Sequence, residues 1–265
     1  MNKVCVVIPM YGKEEYTQKC IDLTIKNAGM EVNILVVDDG SEEPFLAPYN
    51  SQFDTIRIDK NSGFTNAVNQ GILYAQELGF KYVHLLNNDT EPEPDFIKTC
   101  FECCESDESV GISCSVRIHP NRKPHSIELC GVDLIRGYQC FTDDANLPSE
   151  PLECNWIPLC SALMRVQMIR EIGLLDKRFR NHCSDSSYCI HAKMNGWKVM
   201  LVPKSRVIHH LSVTTTNQKV DVEKDQRLFL EKLAGLDYAK LMKEMPLDCE
   251  NKTYGKLDFT IYSKA

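Results

Sequence analysis

No stretch of this sequence approaches the ~18 consecutive apolar residues that a membrane-crossing helix needs, although 43% of its 265 residues are hydrophobic. A helical membrane span is therefore not expected. Positive charge is not in excess either. The formal net charge is -7 and the pI is near 5.6, which argues against general nucleic-acid binding and against docking on anionic membranes. An anionic acceptor remains compatible, because a local basic patch can survive a negative total. Glycine-rich phosphate loops are missing as well. After the first apolar run the chain reads Pro9-Met10-Tyr11-Gly12, where a dinucleotide-binding dehydrogenase needs G-x-G-x-x-G. No G-x-x-x-x-G-K-[ST] appears, which speaks against a P-loop NTPase. A nucleotidylyltransferase, which needs a glycine-rich loop at the same point, is likewise disfavoured. No internal repeat is evident.

The N-terminal apolar run, Val4 to Met10, is short and lacks a small-residue cleavage site, so it reads as a strand rather than a signal peptide. A soluble, cytoplasmic protein is the resulting expectation. Cysteine is what the chain has in plenty: thirteen, an odd number, scattered along the sequence. Without a leader, free thiols are expected rather than a disulfide framework. Cys100, Cys103, Cys104 and Cys114 invite a zinc reading. Ile97, Cys100, Phe101 and Cys104 nevertheless fall at helical spacing, and free cysteine packs as a small hydrophobe. A core face is preferred.

Along the chain, apolar strands and amphipathic helices alternate. Lys3 to Pro9 is a strand, and Tyr16, Cys20, Leu23 and Asn27 then share a helix face that ends at Gly29. Val32 to Val37 and Thr55 to Ile58 are strands. Asn61-Ser62-Gly63 opens a second helix with Phe64, Val68, Ile72 and Ala75 on one face. Tyr82 to Phe96, YVHLLNNDTEPEPDF, is the central stretch: an apolar strand that delivers Asn87, Asn88 and Asp89 at its carboxyl end. Pro92 and Pro94 are expected to stop the strand there. A carboxylate at a strand end is how open α/β sheets build ligand sites. A hard cation bridging phosphate oxygens takes one or two protein carboxylates. An Asn-rich turn is the alternative reading of the same residues.

The segment 116–153 is irregular and proline-containing, and such stretches are commonly functional. A strand-into-helix segment is expected over 156–166, and a helix ending at Gly196 within 173–197. Short strands over 199–202 and 206–208 then lead into His209-His210. Beyond 218 the leucines are spaced as in an amphipathic helix. The last fifteen residues carry no assignment.

Five motifs stand in one order: VVIPMYG (6–12), VVDDGS (36–41), NSGFTNAVNQGI (61–72), LLNND (85–89), and GLLDKRFRNHCSDSSYCIHAKMNGW (173–197) with VIHH (207–210). Together, over roughly residues 3 to 216, they resemble a family 2 glycosyltransferase, in style closest to the rhamnosyltransferase-like members. The resemblance implies an α/β fold of GT-A type, a Rossmann-like doubly wound mixed sheet with a C-terminal helical extension. Residues 1–115 would form the nucleotide-sugar-binding half, 116–217 the acceptor and catalytic half, and 218–265 the extension, a candidate dimer surface. It implies an inverting, metal-dependent transfer from a nucleotide-diphosphate sugar, UDP- or dTDP-linked, to a glycan or other hydroxyl-bearing acceptor.

Position by position, the resemblance places Pro9 and Tyr11 beside the nucleoside and Asp38 and Asp39 on the base. It places Asn61, Gly63 and Asn69 beside the donor, and Asn88 and Asp89 at the ribose and metal. Asp89 and His209 would hold Mn2+ or Mg2+, with His210 the less favoured alternative. Asp185 would be the general base and Trp156 would line the acceptor cleft. Read without the resemblance, Asp38-Asp39-Gly40 is a turn, Asn61 to Asn69 a helix cap and solvated face, and Ser184-Asp185-Ser186-Ser187 an N-cap cluster. Trp156 reads equally as core. The pattern departs at Ser184, where a glutamate is usual, and at Ser187, where an acidic residue is common. These departures support a rival expectation, a sugar-nucleotide-binding protein without turnover. A thiol enzyme using Cys183 and His182 is disfavoured, because adjacent residues seldom face each other.

Overall fold

The computed structural model describes residues 3–48, 51–118, 120, 127–130, 138–142, 147, 149–210, 222–234 and 254–256. Strand β1 (Val4–Met10) lies between β2 (Asn33–Asp38) and β4 (Tyr82–Leu86), parallel to both, and β3 (Phe53–Arg57) adds parallel to β2. The chain thus winds outward from β1 through β2 and β3, then returns to its other side. Beyond β4 come β10 (Ser161–Arg165), antiparallel, and β6 (Val110–Ile118). Strand β6 is flanked by β7 (Ile127–Cys130), which continues through β8 (Tyr138–Thr142) to β12 (Tyr254–Lys256). It also pairs in parallel with β11 (Lys198–His209), which carries β9 (Leu152–Cys154) and β5 (Thr90–Pro92).

The period-2 alternation of each strand divides the core into two layers. Cys5 and Val7 of β1, with Leu35 and Val37 of β2, face α2 (Phe64–Glu77). Val6, Ile8, Ile34 and Val36 face α1 (Glu14–Asn27) and α3 (Phe96–Ser106). Strands buried on both faces must be apolar throughout, which is why β1 reads VCVVIPM. Helix α2 approaches β1 closely: a Cβ on Gly71 would stand 2.3 Å from Val7 Cγ1. Helices α4 (Val166–Ile172) and α5 (Ser184–Met194) join the α2 layer, and α6 (Val222–Ala234) packs on α5.

Several expectations need adjustment. Helix α1 buries Thr17, Cys20, Ile21 and Thr24, while Tyr16 is exposed, so its inward face lies one residue from the one expected. Strand β4 does stop at Leu86, and a helix starts at Phe96 after the two prolines, but a separate short edge strand, Thr90 to Pro92, pairs with β11 between them, a position that proline tolerates because it need not donate inward. The two short strands expected over 199–208 are one strand with a register shift between Val202 and Arg206. The cysteines of α3 do lie in the core. Cys100, Cys103 and Cys104 are buried, and the Cys104 Sγ is 3.2 Å from Ser113 Oγ. The C-terminal extension is helical over α6 but also supplies β12. Much of 116–153 and of 218–265 lies outside the described residues, and with it the candidate dimer surface. Among the described residues no helix is long and apolar enough to cross a membrane.

Candidate active site

Strand order reverses around β1, and in open α/β sheets such a switch point leaves a crevice at the strands' carboxyl ends. A cavity of about 280 Å³ lies there. Its lining includes Pro9 and Tyr11 after β1, Asp39 after β2, Asn61 and Gly63 before α2, and Asn88 and Asp89 after β4. His209 reaches it from β11 and Asp185 from α5. Asp38, Asn69 and Trp156 are not brought to it.

The two neighbouring aspartates after β2 do different work. Asp38 is fully buried. It accepts the Ser41 N–H at 2.9 Å and the Phe45 N–H at 3.1 Å, and it pairs with the Arg57 guanidinium. Burial pushes its carboxyl upward, but those hydrogen bonds together hold it below the usual range. Asp39 accepts the Ser62 N–H and O–H and the Gly63 N–H, at 2.8, 2.6 and 2.8 Å. An ionised carboxylate has room for about four such bonds, so one acceptor position is left on a residue that lines the cavity. Burial raises its pKa, against the pull of the Ser62 and Gly63 bonds. Asn69 clamps Leu175 in both directions: its amide donates to Leu175 O at 2.8 Å and accepts the Leu175 N–H at 3.1 Å. Trp156 sits in the larger hydrophobic cluster.

Pairing of β5 with β11 sets His209 opposite Thr90, and so beside Asp89. Asp89 Oδ1 and His209 Nε2 stand 3.0 Å apart, both residues being buried. In this structure the two are hydrogen-bonded to each other; a carboxylate and an imidazole side by side are nevertheless donor types that a divalent ion takes, so the pair would hold one together with ligands from outside the protein. Burial disfavours the charged imidazole, yet Cys160 and Asp89 outweigh it and lift His209 to about 9. Asn88 is tied through its amide to Thr17 Oγ1 at 3.0 Å. His210 turns instead to Glu91 on the outer side of the same strand pair.

Asp185 opens α5 and accepts the Ser186 N–H at 2.7 Å. Burial raises its carboxyl above the ordinary value, while that bond and the Arg117 charge pull the other way. Arg117, at the end of β6, also lines the cavity, as do Asn87, Cys160 and His182. Sequence reading did not single out Arg117 or Cys160. Each sits in an apolar run whose end becomes a site only when β6 and β10 pair beside β4.

Residues 5–134 match the family model described as glycosyl transferase family 2. That stretch, just under half of the chain, is similar to glycosyl transferase family 2. It is 28% identical to Glycosyltransferase GlyA of Streptococcus pneumoniae over 106 residues, which span 38% of this chain and 15% of GlyA. It is 24% identical to an uncharacterized glycosyltransferase of Rickettsia prowazekii over 190 residues, 67% of this chain and 54% of that one. The chain thus spans well under two thirds of these relatives. The fold is similar to that of GalNAc-T7 crystallised with UDP, GalNAc and Mn2+, at a TM-score of 0.66 and 14% identity, over 92% of this chain and 53% of the other. The mixed α/β sheet is of GT-A type.

Proposed function

We propose that this chain moves a sugar from a nucleotide-diphosphate donor, UDP- or dTDP-linked, to a hydroxyl of a glycan or another acceptor, with inversion at the anomeric carbon and in the cytoplasm. The observation that carries this reading is convergence. Asp39, Asp89, His209 and Asp185 arrive from four different elements at one cavity at the sheet's switch point. The GalNAc-T7 structure, with its UDP, GalNAc and Mn2+, supports it.

In this reading Asp39 takes the N3–H of a pyrimidine base with its remaining acceptor position, and Pro9 and Tyr11 border the nucleoside. Asp89 and His209 would hold Mn2+ or Mg2+, which when bound supplies Lewis-acid neutralisation of the departing diphosphate. Asp185 takes the proton of the acceptor hydroxyl as general base, and its burial-raised basicity suits that task. Attack from the face opposite the diphosphate inverts the sugar carbon. One carboxylate at the sugar then suffices, where glycoside hydrolysis uses two.

The test is binding and turnover across UDP-, dTDP- and GDP-sugars, dTDP-deoxyhexoses included, with Mn2+ or Mg2+, on wild type and Asp185→Asn. Metal-dependent binding with turnover that Asp185→Asn loses is the expected result. Equal turnover in both proteins removes Asp185 as base. Binding without turnover in the wild type favours the non-catalytic alternative that Ser184 and Ser187 suggest. Failure of all donors to bind sinks the proposal.

A further inference from the structure

Asp225 lies on α6, beyond residue 134 where the family match ends. Only 1% of it is exposed, and a carboxylate so placed needs strong partners. It has them in three consecutive backbone amides. The N–H of Arg180 donates to its two oxygens at 3.0 and 3.1 Å, and those of Asn181 and His182 donate at 2.9 Å each. Successive amides turned toward one point make an anion-binding nest. Here a side chain of the same protein fills it.

The segment held in this way acts in two directions. Towards α2, Arg180 O accepts the Thr65 N–H at 3.1 Å, and Asn181 Oδ1 accepts the Phe64 N–H at 2.9 Å. Those are first-turn amides of a helix whose N-cap residue, Gly63, has no side chain to satisfy them. The cap comes from over a hundred residues away. Towards α5, His182 and Asp185 line the cavity, and Cys183 between them takes a left-handed backbone conformation (φ 59°). A second tether steadies α6: Lys232 pairs with Asp176 at 2.8 Å and lies over the Phe179 ring, 5.4 Å from its centroid. Asp225 itself is not in the cavity wall.

The structure assigns Asp225 as a positioning residue of the candidate active site. Its carboxylate fixes the backbone of residues 180–182, and that backbone sets both the start of α2 beside the donor and the presentation of Asp185. The assignment of a catalytic consequence rests on the function proposed above. Asp39 holds Ser62 and Gly63 independently, so the donor loop keeps one anchor when Asp225 is changed.

The experiment compares wild type with Asp225→Asn and Asp225→Glu by amide hydrogen exchange, UDP binding with Mn2+, and steady-state transfer. In Asp225→Asn, exchange in peptides covering 180–182 and 64–65 should quicken about tenfold or more, while β1 and β4 stay protected. Loss of charge-assisted hydrogen bonds should lower kcat about ten- to a hundredfold, with UDP affinity changed less than about threefold. Asp225→Glu, which keeps the charge, should recover part of kcat. Unchanged exchange at 180–182 overturns the assignment. So does a loss in which β1 and β4 lose protection together with the segment, or in which UDP affinity falls as far as kcat. If wild type transfers no sugar, the functional reading fails by itself, and exchange still decides whether Asp225 orders this backbone.

Discussion

At the scale of single residues, the Asp38-Asp39 pair shows how identical side chains in sequence separate in space. Asp38 has both oxygens engaged inside the protein, one of them by Arg57, whereas Asp39 borders the cavity. Asp38→Asn should therefore lower stability by ~2 kcal/mol through lost charged hydrogen bonds, seen as a lower urea midpoint, with donor affinity little changed at temperatures where the variant is folded. Asp39→Asn should instead weaken uridine-nucleotide binding about tenfold or more in calorimetry, since its amide nitrogen only donates and cannot accept the hydrogen bond of the base N3–H. A result with the two effects exchanged would overturn this division. Asp89→Ala should abolish the Mn2+ dependence of nucleotide binding, because it removes one of the two residues proposed to hold the ion. Binding of Mn2+ itself, followed by its electron paramagnetic resonance signal, checks this without turnover.

At the scale of elements, the site depends on close packing between segments distant in sequence. Gly63 has φ +94°, and a Cβ there would lie 2.5 Å from Arg180 Cγ and 2.8 Å from Arg180 O. Gly63→Ala thus adds backbone strain of ~1–3 kcal/mol and pushes on the very segment that caps α2. A lower melting temperature together with weaker UDP binding is expected; a variant as stable as wild type would show that the segment yields freely. Helix α3 makes the complementary point. Its Cys100, Cys103 and Cys104 line a helix–sheet contact, and burial pushes their thiols up to about 11, 11 and 12. Reaction with a disulfide reagent at neutral pH should be slow at these positions in the native protein and fast in urea, because the thiolate is the nucleophile. Fast native modification, mapped by mass spectrometry, would contradict the core placement.

For the whole molecule, pH dependence should carry the mark of His84. This residue is fully buried in β4, with Nε2 3.1 Å from Ser161 Oγ and its ring edge-on to Phe96. Burial lowers it from 6.5 to about 3. Between those values the unfolded chain binds a proton that the folded chain refuses, so stability rises with pH across the window. Its contribution is complete above 6.5 and falls by at most ~1.4 kcal/mol per unit on acidification towards 3. Unfolding midpoints measured from pH 7 to 4 should fall less steeply in His84→Gln than in wild type. Parallel slopes would remove His84 as the cause.

Much of the fold was legible because parallel strands buried on both faces admit few residue types. The runs over 4–10, 33–38 and 82–86 therefore announced themselves, and the polar residues at their ends marked the sheet's ligand edge. Helical spacing likewise gave α2 and the cysteine face of α3. Local pattern could not say which polar residue at an edge faces the cavity: Asp38 or Asp39, Asn69 or Asn61. Nor could it join β5 to β11 across Pro92, or bring Arg117, Cys160 and Asp225 to the site or its support. Hydrophobic periodicity records only whether a side chain turns in or out of its own element. Which partner a polar group meets is set by pairings between segments a hundred residues apart. The sequence by itself determined the alternation of buried strands with helices and the polar residues at the strand ends; the tertiary structure alone decided where the strand order reverses, and which carboxylates are consumed in holding the fold and which line the cavity.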